Sequence, residues 1–301
     1  MLARLRSKAL PFLLLASALF LSACATAPPA AIPDRKEKTD DLAVVAEAAI
    51  ELAEQHGANK VLAVFDIDNT LLAMEQDLGA DQWYYWQKAL AEEDPCDPRL
   101  VSDRFAVMGA LFYASAMRPT QPDAAELLRR VQDAGVPTIA LTARGADYRL
   151  NTFRELRRNE MTFWPQAMPP ARGWTEPFLP VPDGRPVFYE DGVYSVAGQH
   201  KGEMLKILME RTGYPEPAVI VMADDKPDNT DAIHEAFGGS GTAVQTWHYT
   251  AEDEAVAAFD ADDAATQWEQ LRPALETIEA LFGPDNFSLP VKVTPAECDG
   301  R

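Results

Sequence analysis

Polar punctuation divides the chain into short apolar runs and longer stretches of helical period. Val61–Phe65 is continuously apolar, residues 136–141 and 219–222 are further short apolar runs, and residues 241–249 suggest another strand. Runs of this length without polar alternation suit strands covered on both faces, which is the signature of a parallel sheet. Between them, Leu42, Val45, Ala49 and Leu52 fall on one helical face, and Gly57 stops that helix ahead of the first run. Residues 122–134 predict a helix before the second run, and residues 148–159 one after it. Glu190-Asp191-Gly192 marks a hairpin between residues 186–189 and 193–196. Residues 163–181 show no assignable period. Trp268, Leu271, Leu275, Ile278 and Phe282 define a C-terminal helix expected to pack on the sheet. Alternation of strands and helices predicts an α/β fold with helices on both faces of a parallel sheet.

One interval is too long for a helix and a turn. Residues 73–121 read as an insertion with helices over 81–92 and 100–117, separated by the break Asp94-Pro95-Cys96-Asp97-Pro98. Within it Trp83, Tyr84, Tyr85 and Trp86 are adjacent, so they cannot all share one helix face. Some are expected in the insertion's own core, and one or two beside a pocket.

The ends of the apolar runs carry the candidate chemistry. Val61–Phe65 delivers Asp66 and Asp68 to the C-terminal end of a strand, the edge at which open α/β sheets bind ligands. Two neighbouring carboxylates can divide phosphoryl transfer between them, one attacking and the other handling the leaving-group proton. The second run ends on Thr142, followed by Ala143-Arg144-Gly145, which places a hydroxyl where it can bond a phosphate oxygen. Lys201, in Gly198-Gln199-His200-Lys201-Gly202, stands at a helix start as a fixed positive charge. The run at 219–222 ends on Ala223-Asp224-Asp225-Lys226-Pro227-Asp228-Asn229, several acids suited to a hard cation. Arg144 has two readings, contact with a substrate anion or an ion pair with a carboxylate. His200 reads as a turn residue, and Asn69 as a residue that shapes the loop after the strand.

The order Asp-x-Asp, Thr, Lys, then an acidic cluster resembles the haloacid-dehalogenase-like (HAD-like) superfamily of phosphohydrolases over roughly residues 60–246. Looser similarity links D-x-D-x-T, TARG and D-x-x-x-D to class C acid phosphatases, which are bacterial lipoproteins. The resemblance implies a Rossmann-like parallel sheet with the insertion as a small helical cap over the site. It also implies Asp66 as nucleophile, Asp68 as general acid and base, and Thr142 and Lys201 as holders of the phosphoryl group. Mg²⁺ is then expected on Asp66, the backbone carbonyl of Asp68, and Asp224, with Asp225 or Asp228 beside them. Ala223 departs from the Gly that many members have, which keeps that last choice open. A second Asp in the first motif favours phosphate esters over carbon–halogen bonds. Small phosphate monoesters are the expected substrates; a phosphotransferase using the same intermediate, or a binding protein without turnover, are the alternatives.

The N-terminal region adds a location. Arg4, Arg6 and Lys8 precede an apolar stretch from 9 to 21, which reads as a secretion signal over residues 1–23. Leu21-Ser22-Ala23-Cys24 resembles a bacterial lipobox, with Cys24 as the lipidated new N-terminus. Residues 24–38 then form a tether, the domain occupies 39–285, and 286–301 is a loose tail. Ala25 after the cysteine resembles lipoproteins of the Gram-negative outer membrane, so the expected place is the periplasmic face, reached through a lipid anchor. With 47 acidic against 27 basic residues the net charge is −20, which argues against nucleic acid as a partner. Once Cys24 is lipidated, Cys96 and Cys298 remain as a possible disulfide in an oxidising compartment.

Overall fold

A computed structural model describes residues 31–101, 104–174 and 176–283. The chain runs β1 (Arg35–Thr39), α1 (Leu42–His56), β2 (Val61–Phe65), β3 (Leu72–Met74), α2 (Asp81–Glu93), α3 (Arg104–Ala114), β4 (Met117–Pro119), α4 (Ala124–Asp133) and β5 (Thr138–Thr142). It continues through α5 (Arg149–Arg158), β6 (Phe188–Glu190), β7 (Val193–Ser195), α6 (Lys201–Thr212), β8 (Val219–Asp224), α7 (Pro227–Phe237), β9 (Ala243–Tyr249), α8 (Asp253–Ala257) and α9 (Ala261–Phe282). Seven strands form one sheet in the order β1-β9-β8-β2-β5-β7-β6, parallel throughout except for β6 against β7. This is the expected α/β class with a Rossmann-like sheet.

Strand pleating explains why the runs are apolar without alternation. Val61, Ala63 and Phe65 of β2 pack on one side with α1 and α4, through Leu42, Val45, Leu127 and Leu128. Leu62 and Val64 face the other way, against Met204, Leu205 and Leu208 of α6 and Ile233 and Phe237 of α7. Each fully buried aliphatic side chain contributes about 1.5–3 kcal/mol relative to exposure, so the central strands carry much of the stability. Gly57 ends α1 with φ 97°, and its N–H donates to Ala53 O.

Two expectations are corrected. Residues 35–38, read as tether, belong to β1, which pairs with β9 from Arg35↔Gln245 to Thr39↔Tyr249. Four of its five residues are exposed, and an edge strand joined by backbone hydrogen bonds needs no apolar side chains. Its charged sequence Arg-Lys-Glu-Lys therefore resembled a linker. The C-terminal helix, α9, packs on the insertion rather than on the sheet. Trp268 and Ala264 are buried with Trp83, Leu78, Val107 and Leu111, and Leu281 is 75% exposed. Within residues 73–121 the helices are α2 and α3, the second shorter than the 100–117 expected, and β3 and β4 pair antiparallel as an element that the apolar pattern did not signal. Cys24 and residues 286–301 lie outside the described residues. Cys96 is disulfide-bonded.

Candidate functional site

β2 lies inside the sheet between β8 and β5, and the chain departs from it to both sides. Such a reversal of strand order opens a crevice at the C-terminal edge. Asp66 immediately follows β2, and Asp224 ends β8, its neighbour, with Phe65 in register with Ala223. The turn after β2 is closed by bonds from the N–H groups of Thr70, Leu71 and Leu72 to Ile67 O, with Asn69 at φ 56°. Asn tolerates this left-handed conformation because its short side chain can bond locally.

Lys201 joins the acids. Its Nζ donates to Asp66 Oδ1 at 2.6 Å and to Asp224 Oδ2 at 2.7 Å, all three side chains being almost wholly buried. Two local devices place it. His200 caps α6, its Nδ1 accepting from Glu203 N–H at 3.2 Å. Gly202 lets α6 approach α7 so closely that a Cβ there would lie 2.0 Å from Ala232 O. Asp224 Oδ1 accepts from Lys226 N–H at 3.0 Å and Asn229 Nδ2 at 2.8 Å, so both of its oxygens are engaged. Asp225 N–H donates to Thr70 Oγ1 at 3.0 Å, which ties the fourth motif to the first.

Asp66, Asp224 and Asp225 each offer an oxygen within 4.8 Å of the others. Asp228 is exposed in the first turn of α7 and stands outside this group. Burial, with the charges of Asp224 and Asp68 added and Lys201 opposing, pushes Asp66 up to about 7. Burial and the Asp66 charge raise Asp225 well above the usual carboxylate range. Burial lowers Lys201, but Asp224 and Asp66 outweigh it and hold the ammonium above its ordinary value. An all-oxygen, acid-rich donor set of this kind fits a hard divalent cation and offers a soft metal no thiolate or imidazole.

Asp68 takes no part in that triad. Arg144 grips it with two parallel bonds, Nε to Oδ2 at 2.8 Å and Nη2 to Oδ1 at 2.7 Å, so the ion-pair reading of Arg144 is the observed one. Burial would raise Asp68, but the charge and hydrogen bonds of Arg144 prevail and hold it below its ordinary value. Thr142 is fully buried at the end of β5, and its Oγ1 accepts from Arg144 N–H at 3.2 Å.

The insertion reaches the site from two sides. Phe112 of α3 lies 4.4 Å from the Arg144 guanidinium. From α2, Asp81 accepts from Lys226 Nζ at 2.5 Å, and the Tyr85 ring lies 3.9 Å from the same ammonium. The four adjacent aromatics thus diverge as expected. Trp83 is buried, while Trp83 and Trp86 line a cavity of about 250 Å³ with Trp268; Tyr84 packs on Phe105, and Tyr85 alone touches a site residue. Lys226, Asn229 and Thr70 lay within the quoted motifs without an assigned role, and Asp81 was not singled out. Asn229 had a usable signal, since it falls in the first turn of the helix that follows Asp224.

The model of a family described as "Protein of unknown function (DUF2608)" matches residues 40–280. The chain belongs to this family. The match takes in every site residue of this DUF2608 chain from Asp66 to Lys226 and starts just after β1. No curated protein matches it.

Proposed function

We propose that this DUF2608 protein is a phosphohydrolase of the HAD-like type, dependent on a divalent cation, that cleaves small phosphate monoesters at the cell envelope. The observation that carries the reading is the convergence of three distant segments on one sheet edge, where Lys201 bridges the buried carboxylates of Asp66 and Asp224. Asp66, Asp224 and Asp225 would hold Mg²⁺, and when bound it would supply positive charge to the phosphoryl oxygens. Counting Asp66, Asp68, Asp81, Asp224 and Asp225 against Lys201, Arg144 and Lys226, the ionised cluster carries two excess negative charges, which one divalent cation cancels.

In this mechanism an Asp66 oxygen bonds to phosphorus as the ester oxygen leaves, and Asp68 gives that oxygen a proton. Asp68 then takes a proton from water as the water oxygen displaces Asp66 and releases inorganic phosphate. Lys201 neutralises charge on Asp66 and on the transferring group throughout. Thr142 Oγ1, at the end of β5, would bond a phosphoryl oxygen. Esters with weakly basic leaving groups, whose leaving oxygen hardly needs a proton, should turn over fastest.

The test is hydrolysis of aryl and alkyl phosphates by the full-length wild type and Asp66→Asn, with Mg²⁺ present and with it chelated. Asp66→Asn should fold and lose kcat by several orders of magnitude, since an amide cannot form the acyl phosphate. Chelation should silence the wild type. Turnover by Asp66→Asn near the wild-type rate would end the proposal, as would a folded, Mg²⁺-loaded wild type inert on both ester classes. For location, lipid on Cys24 is the anchor, in which case Cys298 is the partner of Cys96, because a thioether sulfur cannot also form a disulfide.

A further inference from the structure

Arg144 is built into the fold more thoroughly than a residue awaiting a substrate anion would be. Its side chain is only 8% exposed. Nε and Nη2 bond to Asp68, Nη1 donates to Thr152 Oγ1 at 2.9 Å, and Nη2 also reaches Met117 Sδ at 3.1 Å. Thr152 Oγ1 donates in turn to Tyr148 O at 2.8 Å, so the hydroxyl that receives Arg144 is itself oriented. Phe112 closes over the guanidinium face. Thus α5, β4 and α3 all serve to hold one fork, and that fork points at one carboxylate. Asp68 in contrast follows the strand in a turn, and its side chain is 29% exposed.

We propose that Arg144 is the positioning residue for Asp68. Its fork fixes the plane of the Asp68 carboxylate beside Asp66, and Phe112 makes the insertion part of that support. This rests on the phosphohydrolase reading for its kinetic consequence, but not for its geometry. A planar guanidinium making two parallel bonds sets orientation as well as charge, which a lysine ammonium cannot reproduce. The insertion then serves the proton-transfer step as well as substrate recognition, because the contact that shields Arg144 from water comes from α3.

The experiment compares wild type, Arg144→Lys and Arg144→Ala as full-length proteins. Loss of positioned acid–base catalysis should cost about 10²-fold in kcat for an alkyl phosphate, whose leaving oxygen needs a proton. For an aryl phosphate the loss should stay under about tenfold, with KM little changed for either, and Arg144→Lys should recover little of the alkyl activity. Equal losses on both esters with a lowered Tm would overturn the proposal in favour of a packing role. A raised KM with kcat intact would overturn it in favour of direct anion binding. Crystal structures of wild type and Arg144→Ala supply a readout independent of turnover: the Asp68 carboxylate should rotate or spread over several positions, and an unmoved carboxylate counts against the idea. Inertness of the wild type toward both esters would sink the phosphohydrolase reading alone, and the crystallographic comparison would still decide what Arg144 does.

Discussion

Replacing Lys201 by Met tests the electrostatic design of the site without reference to any reaction. The ammonium is nearly wholly buried and bonded at 2.6 and 2.7 Å to two carboxylates that are equally inaccessible. Removing one partner from a buried ion pair costs about 3–5 kcal/mol, because the remaining charge is left uncompensated. At roughly 2–4 °C per kcal/mol for a domain of this size, Tm should fall by about 6–20 °C. The loss also has a pH signature. Asp66 is pushed up to about 7 in the fold from 3.8, so the unfolded chain gives up this proton first. Stability is therefore untouched by this group below about pH 4 and declines as pH rises through about 7. Without Lys201 the folded value climbs further, so the decline continues to higher pH, and the gap between wild type and variant widens from pH 5 to pH 8. Added Mg²⁺ should stabilise the variant more than the wild type, since the carboxylates have lost a competing cation; at a hundredfold excess over Kd the gain is about 2.7 kcal/mol. Urea unfolding at several pH values, with and without Mg²⁺, measures all of this. A gap that is constant or shrinks with pH, or a variant as stable as wild type at pH 8, would refute the reasoning.

Two further outcomes are expected. Gly202→Ala places a Cβ 2.0 Å from Ala232 O and 2.6 Å from Ala236 Cβ, so α6 must move off α7 by about 1 Å, at a cost of about 1–3 kcal/mol and with displacement of the adjoining Lys201; an unchanged unfolding curve would contradict the close approach of the two helices. Cys24→Ser should abolish lipid labelling and leave no alkylatable thiol in unreduced protein, whereas retained labelling would refute the anchor and a free Cys96 would refute its pairing with Cys298.

Much of the sheet could be read from side chains because its central strands are covered twice. Nothing but continuous apolar character survives at Val61–Phe65, which makes it unmistakable. β1 was hidden for the converse reason. It is an edge strand, its pairing with β9 is a backbone matter, and its charged side chains are what an exposed edge needs. The apolar stripe of α9 was correctly read as a packing face, but period alone reports that a face is buried, not against what. Trp268 found the insertion because the insertion's own aromatic, Trp83, turned toward it.

The candidate site divides along a similar line. Asp66, Lys201 and Asp224 stand at the ends of elements that any parallel sheet would bring to one edge, so their meeting followed from strand order. Partners such as Asp81 and Phe112 reach the site from the insertion, whose path over the sheet edge depends on packing that no local pattern encodes. Arg144 is the instructive case. Its position beyond β5 was legible, yet two partners were open to it, an incoming anion or a resident carboxylate. Burial favours the second: an arginine engaged by Asp68, Thr152, Met117 and Phe112 and only 8% exposed has little surface left for a visiting anion. Under the proposed mechanism its charge works through Asp68, and the insertion meets that side through Phe112 and the Asp225 side through the Asp81–Lys226 pair. Replacing Phe112 should then alter leaving-group preference before it alters cation affinity, whereas replacing Asp81 should act on Asp225 through Lys226.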